Sequence, residues 1–179
     1  MHLQVYAMSV ASLVHFTGSA SMTRIRIRRG ETRDVEMLVT FFRDLFTMEK
    51  DFATDAESQR AGLLLLLANP GAAAVFVAET DGVVVGMATA QIVISTSIGG
   101  YSILLEDMYV SAGFRRKGIG SKLLENVLAW GAERGACRVQ LVVASANARA
   151  FRFYRQAGLL KSHMTAFYGK LDVMNPDFS

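Results

Sequence analysis

The stretch Arg115-Arg116-Lys117-Gly118-Ile119-Gly120 decides how this chain reads. It follows the apolar run Ile103-Leu104-Leu105-Glu106-Asp107-Met108-Tyr109-Val110 and opens an amphipathic run that begins near Ile119. The order is strand, basic glycine loop, helix N-terminus. N–H groups without intrahelical partners point out of such a helix end, and the helix dipole favours negative charge there. Gly118 and Gly120 let the backbone approach a ligand with no Cβ in the way. Arg115, Arg116 and Lys117 add Coulombic attraction, so a pyrophosphate is the natural guest. Spacing separates this loop from two other phosphate loops. A P-loop carries its lysine after the second glycine, whereas Lys117 precedes Gly118. A dinucleotide fingerprint needs a small residue where Leu123 stands, and it follows an early strand. Taken alone, the hexapeptide also reads as a solvated basic turn.

The 179 residues are 51% hydrophobic with two prolines, which fits one folded domain with a sizeable core. A formal net charge of +3 suits an anionic cofactor without demanding one. Arg24-Ile25-Arg26-Ile27-Arg28-Arg29 alternates with period two, so it predicts a strand with isoleucines inward and arginines in solvent. No basic stripe with interleaved aromatics points to nucleic acid. The single cysteine, Cys137, excludes an internal disulfide and fits a reducing, cytoplasmic setting. It reads as a buried structural thiol, and no metal site is expected from the three histidines. No apolar run reaches the length of a membrane span. Residues 1–21 carry no Asp, Glu, Lys or Arg and read either as a loosely ordered N-terminal extension or as sequence ahead of a native start at Met22, with a single domain over 22–179.

Strands are predicted over 23–28, 73–79, 83–95, 101–110 and 138–144, with one or two more within 159–171. Asp81-Gly82 marks a hairpin turn. Helices are predicted from about Asp34 to Phe46, over 55–68 with Asn69-Pro70-Gly71 as the stop, over 119–134, and over 148–157 with Gly158 beyond the end. The five leucines 63–67 read as the buried side of the second helix. On the strand through Glu106, alternation puts Glu106 and Met108 on one face and Asp107 on the other. The order β-α-α-β-β-β-α-β-α-β gives a mixed α/β (α+β) layer design with helices on a central, largely antiparallel sheet.

In that order, four pieces resemble the GNAT acetyltransferase superfamily: the strand 105–110, the loop 115–120, Asn147, and Ala150-Phe151-Arg152-Phe153-Tyr154-Arg155-Gln156-Ala157-Gly158-Leu159. The resemblance covers nearly all of residues 23–170. A weaker similarity, in the Leu-Glu-Asp strand and the spacing from Asn147 to Tyr154, points to the spermidine/spermine acetyltransferase branch. The resemblance implies a sheet splayed at an acyl-CoA site, acetyl-CoA as co-substrate and no metal. It also implies a small-amine or peptide-amine acceptor, no nucleic-acid or membrane partner, and a homodimer by family habit. The implied cofactor-binding residues are Met108, Tyr109 and Val110 along the pantetheine arm, and Arg115, Arg116, Lys117, Gly118, Ile119, Gly120 and Ser121 at the pyrophosphate. Asn147, Ala150 and Tyr154 complete the set. Glu106 is implied to face the acceptor amine and Tyr154 the thioester sulfur, as the catalytic pair.

The chemistry supports those residue types. An alkylamine is mostly protonated at neutral pH and must lose a proton before it attacks a thioester, which a carboxylate such as Glu106 can accept directly or through water. A strand N–H such as that of Val110 can donate to the oxyanion. A phenol is less acidic than a thiol by about 1.5 units, so Tyr154 is better suited to hydrogen-bond the leaving sulfur than to protonate it outright. Each residue also has a plainer reading. Glu106 can be a paired surface carboxylate, Tyr154 can pack its ring on the sheet, Asn147 can be a helix N-cap and Arg115 can meet only solvent. Met48-Glu49-Lys50-Asp51-Phe52, with Asp55 and Glu57, reads either as a carboxylate-bearing cover over a cationic acceptor such as a polyamine, or as a solvated loop and helix start. A non-catalytic acyl-CoA sensor of the same fold is the rival to an enzyme.

Overall fold

The computed structural model describes residues 24–48, 55–167 and 169. The expected N-terminal extension and positions 49–52 of the expected acceptor cover lie outside them. The elements in chain order are β1 (Arg26–Arg29), α1 (Val35–Met48), α2 (Ala56–Ala68), β2 (Ala73–Thr80), β3 (Val83–Ser95), β4 (Gly100–Val110), α3 (Ile119–Glu133), β5 (Ala136–Gln140) and α4 (Ala148–Gln156). Local chemistry sets the boundaries. Glu31 and Asp34 cap one another across a short 3-10 turn ahead of α1. Asp55 accepts the Glu57 N–H at the start of α2, so its carboxylate serves as a cap. Asp81 and Gly82 both adopt positive φ, 50° and 78°, which is the backbone of a two-residue hairpin turn.

The five strands lie in the order β1-β2-β3-β4-β5, antiparallel as far as β4, with β5 parallel to β4. The α3 helix is the crossover between β4 and β5. It covers one sheet face with Ile119, Leu123, Val127 and Trp130 packed on Ile103 and Leu105. The α1 and α2 helices cover the other face, where Val35, Leu38 and Leu63 meet Val75, Met87 and Tyr109. The α/β (α+β) reading with a largely antiparallel central sheet therefore holds. Among the described residues no helix is long and apolar enough to cross a membrane.

Four expectations are corrected. Arg28 is not in solvent: it forms a two-pronged ion pair with Asp34 and a further one with Glu79. Its side chain projects from β1 onto the face that α1 covers, so it needs partners there. The five leucines do not share one side. Helical spacing turns Leu63 into the core and leaves Leu64 and Leu65 exposed. Cys137 is exposed, because it is the residue skipped where the β4–β5 register shifts and it lies on an edge strand. Residues 159–167 form no strand, and Leu160, Met164 and Phe167 are exposed. Their apolar composition matched a strand, but among the described residues no sheet partner receives them; positions 168, 170 and 171 of the expected stretch lie outside those residues.

Candidate active site

β4 pairs with β3 along its length to Val110, but with β5 only from Tyr101 to Leu104. Beyond Leu104 the sheet splays, and among the described residues β4 keeps a strand neighbour on one edge only. The Ser111 N–H bonds the Val85 carbonyl (2.9 Å), which makes Val110–Gly86 a non-hydrogen-bonded pair of the antiparallel ladder. The N–H and C=O of Val110 therefore point to the splayed edge, and by alternation so do those of Met108. The Val110 carbonyl accepts from Arg115 Nε at 2.7 Å. Tyr109 shows its side chain to the opposite side. Its ring is buried beside Phe41, and its hydroxyl donates to Asp44 on α1 at 2.8 Å. Burial, followed by the Asp44 carboxylate, pushes the Tyr109 phenol above its ordinary pKa.

A β-bulge interrupts β4 at the expected base. Thr89 pairs with Asp107 and Ala90 with Leu105, so Glu106 is the inserted residue. The bulge overturns the expected alternation. Leu105 and Met108 share the α3 face, while Glu106 and Asp107 both line a cavity of about 500 Å3 between α1, α2 and the sheet. Gln91 Nε2 donates to Glu106 at 2.9 Å, and Thr89 donates its hydroxyl to Asp107. Gln91, Thr89 and Asp44 were not singled out from sequence. Finding Gln91 and Thr89 needs the β3–β4 register, and the bulge breaks any simple count from the intervening turn; finding Asp44 needs the packing of α1 on the sheet.

The loop after β4 is built by left-handed backbone. Arg116 has φ 63° and Gly118 φ 77°. Gly118 caps α3 with no side-chain hydrogen bond, and Ile119, Gly120 and Ser121 form the first turn. The Ile119 side chain is buried in the core, so only its backbone faces the loop. A Cβ on Gly118 would meet no atom within 4 Å, so conformation is what requires glycine there. Gly120 is different: a Cβ would approach Phe153 of α4 to 3.4 Å. Arg115 lies over the Tyr109 ring as well as bonding Val110, so it fixes the loop to the end of β4. Lys117 lies over Phe114.

The α4 helix closes the arrangement from the far side of the splay. Asn147 is its N-cap, accepting the Ala150 N–H at 3.0 Å. Tyr154 places its hydroxyl 4.0 Å from Met108 Sδ and its ring edge-on to Phe153. The structure thus brings Tyr154 beside Met108 and Phe153 beside Gly120, with Glu106 on the other face of β4. A free strand edge can take an extended amide chain as an added strand, and an uncapped helix N-terminus can take phosphate.

The acetyltransferase (GNAT) family model matches residues 36–159. A protein of Archaeoglobus fulgidus described as an uncharacterized N-acetyltransferase is 28% identical over 142 residues, covering 75% of this chain and 92% of that one. An aminoglycoside N-acetyltransferase solved in complex with CoA superposes with a TM-score of 0.70 at 21% identity, over 82% of this chain and 95% of that one. A transcriptional regulator from Bacillus halodurans gives a TM-score of 0.73 at 23% identity, over 82% of this chain and 100% of that one. At such identities these two structures bear on the fold alone.

Proposed function

The chain belongs to the acetyltransferase (GNAT) family and is an acetyl-CoA-dependent N-acetyltransferase; on that premise we propose that it acetylates a primary amine of a small molecule or peptide by direct attack on the thioester. The observation that carries the reading is the free edge of β4. Past Leu104 the main-chain groups of Met108 and Val110 have no strand partner on that edge among the described residues, Tyr154 lies beside Met108, and α3 starts at Gly118 with no side-chain cap. The pantetheine arm would run along that edge, with its pyrophosphate on the N–H groups of residues 116–120 and Ser121. Asn147 holds the start of α4 through Ala150, and its amide nitrogen is the group it can offer the arm.

Glu106 accepts the ammonium proton, directly or through water, and the neutral nitrogen attacks the thioester carbon. A C–N bond forms, and the Val110 N–H donates to the oxyanion. On collapse the C–S bond breaks, the nitrogen gives up its surplus proton, and the departing thiolate, hydrogen-bonded by Tyr154, takes up that proton by way of solvent. The products are the N-acetyl amine and free CoA. A homodimer in the cytoplasm belongs to the same proposal.

The test follows CoA release with a thiol reagent in wild type, Glu106→Gln and Tyr154→Phe. Slow turnover in both variants at near-normal acetyl-CoA affinity is expected. Unchanged turnover in both would remove this pair from the mechanism, and acetyl-CoA binding with no release in wild type would favour a sensor.

A further inference from the structure

The cavity between α1, α2 and the sheet is chemically divided. Phe42 and Phe46 from α1 and Leu63 and Leu66 from α2 give it an apolar side, and Gln59, Asn69 and Gln91 also line it. Among its described lining residues only Glu106 and Asp107 carry charge, and the bulge sets them side by side at the sheet. The lining amides are engaged: Gln91 donates to Glu106, Asn69 donates to the Leu65 carbonyl, and Gln59 pairs with the Asp55 main chain. The volume of about 500 Å3 suits a small ligand.

Each acceptor class meets this lining differently. A single ammonium finds two carboxylates at one end. A second ammonium several bonds away would lie among leucine and phenylalanine side chains and meet no counter-charge among the described lining residues, which is costly. A polyhydroxylated aminosugar would lose water from many hydroxyls and recover few hydrogen bonds. Resting on the acetyl-transfer reading above, we infer that the acceptor is a monoamine on an apolar arm, an alkyl- or arylalkylamine. Its ammonium meets Glu106 and Asp107, and its arm lies against Phe42, Phe46, Leu63 and Leu66. Asp107 thereby becomes a specificity residue beside the base.

Gly62 supplies a clean perturbation. It lies on α2 at the cavity wall, and a Cβ there meets no atom within 4 Å. Gly62→Phe fills the cavity without removing a core contact, and a helix favours most residues over glycine. Leu64→Gln, exposed and absent from the lining, is the control. 2-Phenylethylamine and hexylamine are compared with spermidine and kanamycin as acceptors at saturating acetyl-CoA, with products identified by mass spectrometry. The apolar amines should lead in kcat/KM by about tenfold or more, the worth of a few well-placed methylenes. Gly62→Phe should raise KM for 2-phenylethylamine by about tenfold, while Leu64→Gln leaves it unchanged. Spermidine or kanamycin leading would overturn the inference and leave acetyl transfer intact. Saturation-transfer NMR with 2-phenylethylamine reads the cavity without turnover. Binding that is lost in Gly62→Phe and kept in Leu64→Gln supports the inference even if no amine is acetylated, an outcome that would count against the transfer reading alone. No binding to wild type overturns the inference.

Discussion

Replacing Arg28 by methionine tests the packing of the sheet edge against α1. The Arg28 side chain is 11% exposed and that of Asp34 is 5% exposed. Nη1 and Nη2 donate to the two Asp34 oxygens at 2.7 and 2.8 Å, and Nε donates to Glu79 at 2.8 Å. Methionine keeps much of the apolar stem but leaves Asp34 buried without its counter-charge. Breaking a buried pair from one side costs about 3–5 kcal/mol. For a chain of this size each kcal/mol moves Tm by roughly 2–4 °C, so a fall of roughly 6–20 °C is expected. Burial works to raise the Asp34 carboxyl, but the Arg28 hydrogen bonds, the Glu31 N–H and the guanidinium charge together hold it below its usual range. A depressed folded value means the contribution is present above the ordinary carboxylate pKa of about 3.9 and is lost as pH falls through the lower folded value. The gap between wild type and variant should therefore be full at neutral pH and shrink below about pH 4. Arg28→Met/Asp34→Asn, which keeps an acceptor for the Glu31 N–H, should recover most of the loss. Urea denaturation at several pH values is the assay. A loss under about 1 kcal/mol, the size of a surface pair, would refute the assignment of a buried pair.

Gly131→Ala should destabilise by about 1–3 kcal/mol, outweighing the roughly 1 kcal/mol that alanine gains in helix propensity. The new Cβ would collide with Ile103 Cδ1, so a double-mutant cycle with Ile103→Ala should show coupling between the two sites. Gly118→Val meets no steric neighbour but must hold a φ of 77°, so a loss of roughly 1–2 kcal/mol in denaturation and weaker acetyl-CoA binding by calorimetry are expected. Tyr154→Phe should slow turnover by about 10–100-fold, the worth of one hydrogen bond to a charged atom, with acetyl-CoA affinity little changed. Glu106→Gln should lower kcat by roughly 10²–10⁴ in steady-state kinetics, with acetyl-CoA binding intact.

Much of the fold was legible because its signals are local. Asp81-Gly82 fixed the hairpin, Asn69-Pro70-Gly71 ended α2, and Gly118 and Gly135 bracket α3 with positive φ at both positions. The basic glycine loop lies where the apolar run and the amphipathic run met in the sequence. What stayed hidden depends on pairing between distant segments. The bulge at Glu106 arises from how β3 registers against β4, so alternation counted from Met108 placed Glu106 on the wrong face. The burial of Arg28 depends on Asp34 and Glu79 arriving beside it, which an alternating Arg-Ile pattern does not reveal. The exposure of Cys137 follows from an edge strand with a shifted register, again a tertiary property.

The most direct test of the central claim is acetyl transfer itself. Purified protein and acetyl-CoA are incubated with a pooled set of primary amines and lysine peptides, and products are read by mass spectrometry with matched reactions lacking protein. The account predicts a protein-dependent gain of one acetyl group on an amine, with stoichiometric CoA release. Absence of any acetylated product, in a preparation shown to bind acetyl-CoA, would contradict it.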